Sequence, residues 1–401
     1  MASDVEGVAF DPHDLSVHDD PYPHYEKLRA RCPVVYSTET KEYFVTEYET
    51  IRAILMDPVA FSNEGATNNP FGDVRVLVTA DDPAHRRHRK LISRAFTPKR
   101  VASMEPYAER IANELIDAFA DQGACDIVET FAYRLPVAMI AGILGIPQED
   151  HVRFRQWADD LFAVTTDPSP EVLTRATASL GEFAQYILAQ AEYSDSAGQS
   201  LLGEENVLAG LRQPADDGET LTDDEFVIAT LQLLAAGHET TTNLIANAIW
   251  QLCQHPQEYQ RLLDDPGLVE TAVEEILRFD SPVLHQWRRA TEDAEIAGVS
   301  VPAESIVAVV LAAANRDPAR WPEPNKFDLT RPLNEARQHF SFGTGIHTCL
   351  GAPLARLEGK VALTALLNRL PGLEIDNSQQ SIRATPHFLH GWKSLRIRWN
   401  T

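Results

Sequence analysis

The stretch of this chain best suited to chemistry is Phe342-Gly343-Thr344-Gly345-Ile346-His347-Thr348-Cys349-Leu350-Gly351, which precedes helix-forming sequence. Glycines ahead of Cys349 permit a tight or left-handed backbone. Backbone N–H groups can then turn toward the sulfur, and the following helix presents its positive end to the same atom. Both effects favour the thiolate, so a lowered cysteine pKa is expected. The other cysteines, Cys32, Cys125 and Cys253, lie far away in sequence and form no Cys-x-x-Cys pair. That argues against a zinc site, an iron–sulfur cluster or a disulfide framework. A lone, supported thiolate suits the axial ligand of a haem iron, where it pushes electron density onto the metal.

A second stretch fits such a centre. Thr222-Asp223-Asp224-Glu225 has the pattern of a capping box, and helix-compatible sequence runs on to about Cys253, ahead of Pro256. About thirty residues at 1.5 Å each give a rod of about 45 Å. Its middle reads Ala235-Ala236-Gly237-His238-Glu239-Thr240-Thr241-Thr242. Gly and successive threonines are poor helix formers. A Thr240 hydroxyl bonded to the Ala236 carbonyl would widen the helix locally, and Gly237 removes bulk from the same stretch. The result is a groove with an alcohol and an acid beside it. His238 should point to another face.

The spacing Phe-x-x-Gly-x-x-x-Cys-x-Gly resembles the haem-binding loop of the cytochrome P-450 superfamily, and the likeness extends along nearly the whole chain. The resemblance implies a mainly α fold with a minor β portion, with haem b held between the long central helix and the helix after the cysteine loop. It implies Cys349 as iron ligand, Phe342 packing near the ligand loop, Ala236 and Gly351 against the cofactor, and His347 near a propionate. Thr240 and Glu239 correspond to the family's oxygen-activating pair, with Glu239 relaying protons from solvent. Glu275 and Arg278 match its Glu-x-x-Arg pair, and Arg331 in Phe327-Asp328-Leu329-Thr330-Arg331 matches the arginine that joins them. His85 and Arg89 match a His-x-x-x-Arg helix that meets the propionates. Arg288, five residues before Asp293, matches another propionate arginine, with Arg289 the competing choice.

Composition narrows the remaining possibilities. The 401 residues carry 35 Lys and Arg against 59 Asp and Glu, a net charge of -24, with 44% hydrophobic residues. Such charge repels nucleic acid and anionic membranes. No basic and apolar leader opens the chain, and the longest apolar run, Ile306 to Ala314, is too short to cross a bilayer. With no linker or repeat visible, residues 1–401 read as a single domain, cytoplasmic and monomeric. Against the overall charge, Ala84 to Met104 holds seven Lys or Arg and no acid. With His85 and Arg89 turned inward, Arg86, Arg87, Lys90, Arg94, Lys99 and Arg100 form a patch that could steer an acidic ferredoxin-type donor.

Helices are expected at about residues 21–31, 47–56, 83–95, 100–121, 131–144, 150–165, 171–193, 222–253, 268–278 and 351–370. Short strands are expected near 34–36, 42–46, 292–301 and 390–398. An apolar small-molecule pocket would draw on Phe71, Val74, Leu77, Gln232, Ala235, Val283, Leu284, Gln286, Trp287, Phe388 and Leu389. Gln232 and Gln286 could orient a carbonyl or hydroxyl of the substrate. The resemblance implies a monooxygenase that uses O2 on an apolar or amphipathic small molecule, most simply by C–H hydroxylation. Electrons would come from NAD(P)H through a ferredoxin reductase and ferredoxin. Epoxidation and dealkylation stay open, as do a peroxide-driven peroxygenase and a non-catalytic haem sensor or carrier.

Overall fold

The computed structural model describes residues 10–67, 74–164, 169–197, 207–214, 217–384 and 388–401. The chain is mainly helical with a minor β portion, as expected. The central helix, Asp223–Gln254, is closed at its start by the anticipated capping box. Thr222 accepts from the Glu225 N–H at 3.2 Å, and Glu225 accepts from the Thr222 N–H at 2.9 Å. Its 32 residues span about 48 Å. Pro256 does more than stop it: as a first-turn residue it opens a further helix, Pro256–Asp264, because its missing N–H is no loss there. The same property breaks the single helix expected over 100–121. Pro98–Ser103 ends at Met104, and Glu105–Asp117 restarts with Pro106 in its first turn.

The largest hydrophobic core joins the central helix (Leu234, Ile245, Ile249) to several others, three of which bear on the site. These are Glu105–Asp117 through Ala108 and Ala112, Arg134–Leu144 through Met139 and Ile140, and Ala352–Arg369 through Leu354 and Val361. Gly237 belongs to this packing. A Cβ built on it would stand 2.8 Å from Ile140 Cγ1, so the missing side chain lets two helices approach. Gly237→Val is expected to cost about 1–3 kcal/mol through overpacking, read as a lower denaturant midpoint with unchanged slope.

One mixed sheet has five strands: β1 (Val34–Ser37), β2 (Glu42–Val45), β3 (Phe61–Ser62), β4 (Gln286–Ala290) and β5 (Ile306–Val309), in the order β1-β2-β5-β4-β3. Only the β2–β5 pairing is parallel. The apolar run from Ile306 becomes strand β5 and then the helical turn Leu311–Ala314. Along β4, alternation sets Gln286 and Arg288 on one face and Trp287 and Arg289 on the other, and this decides how those four residues are used. Among the described residues no helix is long and apolar enough to cross a membrane.

Candidate active site

The cysteine loop is pinned before it reaches the sulfur. Gly343 and Gly345 adopt φ of +65° and +74°. A Cβ on Gly345 would lie 2.5 Å from the Leu55 carbonyl oxygen, so both conformation and space demand glycine. The Cys349 N–H donates to the Phe342 carbonyl at 2.8 Å. Gly351 then caps the helix Ala352–Arg369. Cys349 is exposed, yet its sulfur sits deep in the protein. Burial there pushes the thiol pKa up, outweighing the Gly351 and Ala352 N–H groups and the charges of Arg89 and Arg356 that act the other way. The expected lowered pKa therefore needs correcting: the loop alone leaves a thiol, and a bound metal cation would supply the positive charge that makes it a thiolate.

Behind the loop lies a fully buried ion pair. Arg278 donates to Glu275 at 2.7 and 2.8 Å, and Arg331 reaches the same carboxylate at 3.1 Å. Arg278 also satisfies the carbonyls of Asn315, Pro324 and Lys326. The helix Val269–Phe279 is thus fastened to the segments leading into the cysteine loop.

Four basic side chains gather in the interior. His85 and His347 have ring centroids 4.1 Å apart, Arg89 donates to the Thr348 carbonyl at 2.6 Å, and Arg288 is buried. Burial, with His85, Arg288 and Arg89 nearby, drives the His347 pKa down to about 3. Burial also lowers Arg288 to about 10, opposed by Asp81. His85 Nδ1 and His347 Nε2 make no hydrogen bond, their nearest carboxylates standing 3.6 and 4.0 Å off. A buried cluster short of anions is a site for anions. Arg289 is committed elsewhere, to the Glu64 carbonyl at 2.8 Å and Glu304 at 2.6 Å.

On the central helix, Thr240 donates to the Ala236 carbonyl at 2.8 Å. Ala236 is exposed although it lies mid-helix. Burial first, then the negative charge of Asp159, raises the Glu239 pKa to about 8. Asp159 accepts a hydrogen bond from Tyr133 at 3.0 Å, and the Tyr133 ring meets His238 edge-on at 5.5 Å. His238 itself turns back to the Leu234 carbonyl at 3.0 Å, away from this pair. Nothing in the residue spacing could have brought Asp159 to Glu239, eighty positions away.

The pocket candidates divide. Val74, Leu77 and Ala235 are half-buried. Phe71 lies outside the described residues. Gln232 spends its amide N–H on the Val76 carbonyl at 2.9 Å and pins the preceding loop to the central helix. Gln286 sits with Arg288 on the face toward the cysteine loop, its Oε1 3.7 Å from the position of a Gly343 Cβ. Leu284 is buried in a cluster with Phe10 and Phe44, against which Trp287 packs. Val283 bridges Leu389, and the Trp287 and Phe388 rings lie 5.3 Å apart, tilted by 59°. Leu284 and Trp287 therefore pack into the core beside the sheet, while Phe388 stays half-buried.

The basic run is also less bare than its sequence. Arg86 pairs with Asp82 at 2.6 Å, Arg87 with Glu225, Lys90 with Asp217, and Arg94 reaches the Pro214 carbonyl. Asp82, Asp217 and Glu225 thus neutralise much of the expected patch, while Lys99 is exposed.

Comparison with known proteins agrees with this geometry. The family model for cytochrome P450 matches residues 190–394. The chain is 38% identical to the cytochrome P450 monooxygenase PikC of Streptomyces venezuelae, over 95% of this chain and 91% of that one. It is 36% identical to the 6-deoxyerythronolide B hydroxylase of Saccharopolyspora erythraea, over 90% and 91%. The crystal structure of CalO2 superposes with a TM-score of 0.90 at 31% identity, covering 98% of this chain and 99% of that one. The chain belongs to the cytochrome P450 family, and is a P450 monooxygenase acting with O2 on a small molecule. The family binds haem b through a cysteine thiolate. The residues present fit that group: an exposed sulfur within the fold, an exposed Ala236 on the central helix, and a buried basic cluster with orphaned imidazole nitrogens.

Proposed function

We propose that the enzyme hydroxylates a C–H bond of an apolar or amphipathic small molecule, with electrons from NAD(P)H delivered by a ferredoxin reductase and a ferredoxin. Haem held by Cys349 supplies the one-electron and dioxygen chemistry when bound. The chain's own residues manage protons and position. The observation that carries the reading is the pairing of Thr240 with a Glu239 that holds its proton up to about pH 8. Because Thr240 donates its hydroxyl hydrogen to the Ala236 carbonyl, its oxygen remains free to accept a hydrogen bond. Glu239 can release one and be recharged from the exposed Asp159 side. A peroxide-driven enzyme or a haem carrier has no need of this pair.

His85, Arg89, Arg288 and His347 would hold the propionates, with Arg288 preferred to the committed Arg289. Phe342 and Gly351 would lie along the ligand loop, and Val74, Leu77 and Ala235 would contribute to the apolar lining. Arg288→Leu is expected to speed haem loss to an acceptor protein roughly 10- to 100-fold, the worth of one hydrogen bond to a charged group. Dissociation is read from the Soret change.

Match to relatives along 90% or more of the chain supports reading residues 1–401 as one unit, working as a cytoplasmic monomer. Donor docking would use Lys99 and the outward part of Arg86, which is 82% exposed. The test is substrate-dependent NADPH consumption with a ferredoxin and its reductase. Lys99→Glu should slow the reaction several-fold at low ionic strength and converge on wild type as salt rises. Absence of NADPH consumption with ferredoxin, together with product formed from peroxide alone, would overturn the reading.

A further inference from the structure

Glu274, one residue before the Glu275–Arg278 pair, is buried at 1% exposure and serves a separate network. Burial pushes its carboxyl up, but hydrogen bonds and charges from His339 and Arg356 bring it down to about 2. Arg356 approaches in two-pronged fashion, Nε at 2.6 Å and Nη2 at 3.0 Å. Arg337 adds a contact at 3.3 Å. His339 Nε2 lies 3.0 Å from the other carboxylate oxygen. The Ser341 N–H donates to His339 Nδ1 at 3.2 Å, which fixes that nitrogen as acceptor and leaves Nε2 carrying the hydrogen. The imidazole is therefore neutral with both nitrogens satisfied, in keeping with the downward pull of burial on its pKa.

Two of the three partners of Glu274, Arg356 and His339, lie against Phe342. The Arg356 guanidinium sits 4.5 Å from the ring centroid, and the His339 ring lies 5.8 Å away at 45°. Phe342 in turn accepts the Cys349 N–H at 2.8 Å. Arg356 also acts through space on the sulfur, favouring its anionic form. One carboxylate thus grips the chain before the ligand, at Arg337 and His339, and after it, at Arg356.

We propose that Glu274 is a positioning residue for the iron ligand, holding Arg356 and His339 against Phe342 and setting the electrostatic field at Cys349. This rests on haem–thiolate ligation alone and not on the identity of substrate or electron donor. Reduction adds an electron at the centre, so a lost negative charge nearby should raise the reduction potential and a lost positive charge should lower it.

The test is potentiometry of the purified holoprotein, with the ferrous carbonyl spectrum recorded alongside. Glu274→Gln is expected to raise the potential, Arg356→Gln to lower it, and Arg356→Lys to return it close to wild type. A merely structural contact would shift Glu274→Gln and Arg356→Gln in the same direction. That result, or no shift in either, overturns the proposal. Should Glu274→Gln fail to retain haem, the Arg356 pair decides alone. A fall in potential with Gln and recovery with Lys supports the proposal, and equal potentials in both overturn it. Since Arg356 is 29% exposed, its variants should fold.

Discussion

Cys349→Ser is expected to reduce monooxygenase turnover to background and to remove the red-shifted Soret band from the ferrous carbonyl spectrum, while leaving the far-UV circular dichroism unchanged. The fold should survive because the loop geometry is carried by atoms other than the sulfur: the Gly345 approach to Leu55, the Cys349 N–H on Phe342, and the Gly351 cap. The chemistry should not survive, because a serine hydroxyl is a far weaker acid than a thiol. A neutral oxygen ligand cannot donate charge as a thiolate does. Haem should also bind less tightly, with the basic cluster at His85, Arg89, Arg288 and His347 retaining part of the affinity. Persistence of the red-shifted band in Cys349→Ser would mean that sulfur at this position is not the ligand.

What the sequence made legible was chemistry carried by neighbours. The cysteine loop, the Thr222–Glu225 cap and the Glu275–Arg278 pair each depend on residues within ten positions, where spacing translates directly into geometry. Partners brought from afar left no such mark. The basic stretch after Ala84 looked like an open patch because Asp217 and Glu225 lie more than a hundred residues away. Glu274 finds His339 and Arg356 across 65 and 82 positions. Strand β4 escaped because Gln-Trp-Arg-Arg-Ala shows no apolar alternation. Its two faces meet the cysteine loop and the Phe10–Phe44 core, so Trp287 became core while Gln286 went with Arg288. The apolar run at Ile306 is ambiguous between strand and helix by periodicity alone, and the chain uses it as both. The thiol's pKa was misjudged because N–H groups are visible in a local motif, whereas desolvation belongs to the assembled protein.

Glu239 is where that same desolvation becomes useful. An ordinary glutamate would be ionised across the physiological range, with no proton to give. Burial together with the Asp159 charge lifts this one to about 8, close to the optimum for a group that must both release and regain a proton near neutrality. The protonated form dominates below that value, so product formed per NADPH consumed should hold steady from about pH 6 to 7 and decline as pH rises through 8, the released peroxide rising in step. Asp159→Asn removes a like charge and must lower the Glu239 pKa, moving the decline to lower pH without changing its shape. Glu239→Gln has no ionisable proton and should slow proton delivery by about 10²- to 10⁴-fold, flat across the same pH range. Stability should move oppositely. A carboxyl whose folded pKa exceeds its unfolded value destabilises the native state once pH passes the unfolded value, and increasingly so up to the folded one. Between about pH 5 and 8 the wild type therefore loses stability that Glu239→Gln retains, and the variant's melting temperature should exceed wild type most clearly at the alkaline end. A Glu239→Gln protein that couples normally, or an Asp159→Asn profile that does not move, would place the proton supply elsewhere. A slower enzyme that is also more stable above pH 7 is what a deliberately buried acid requires.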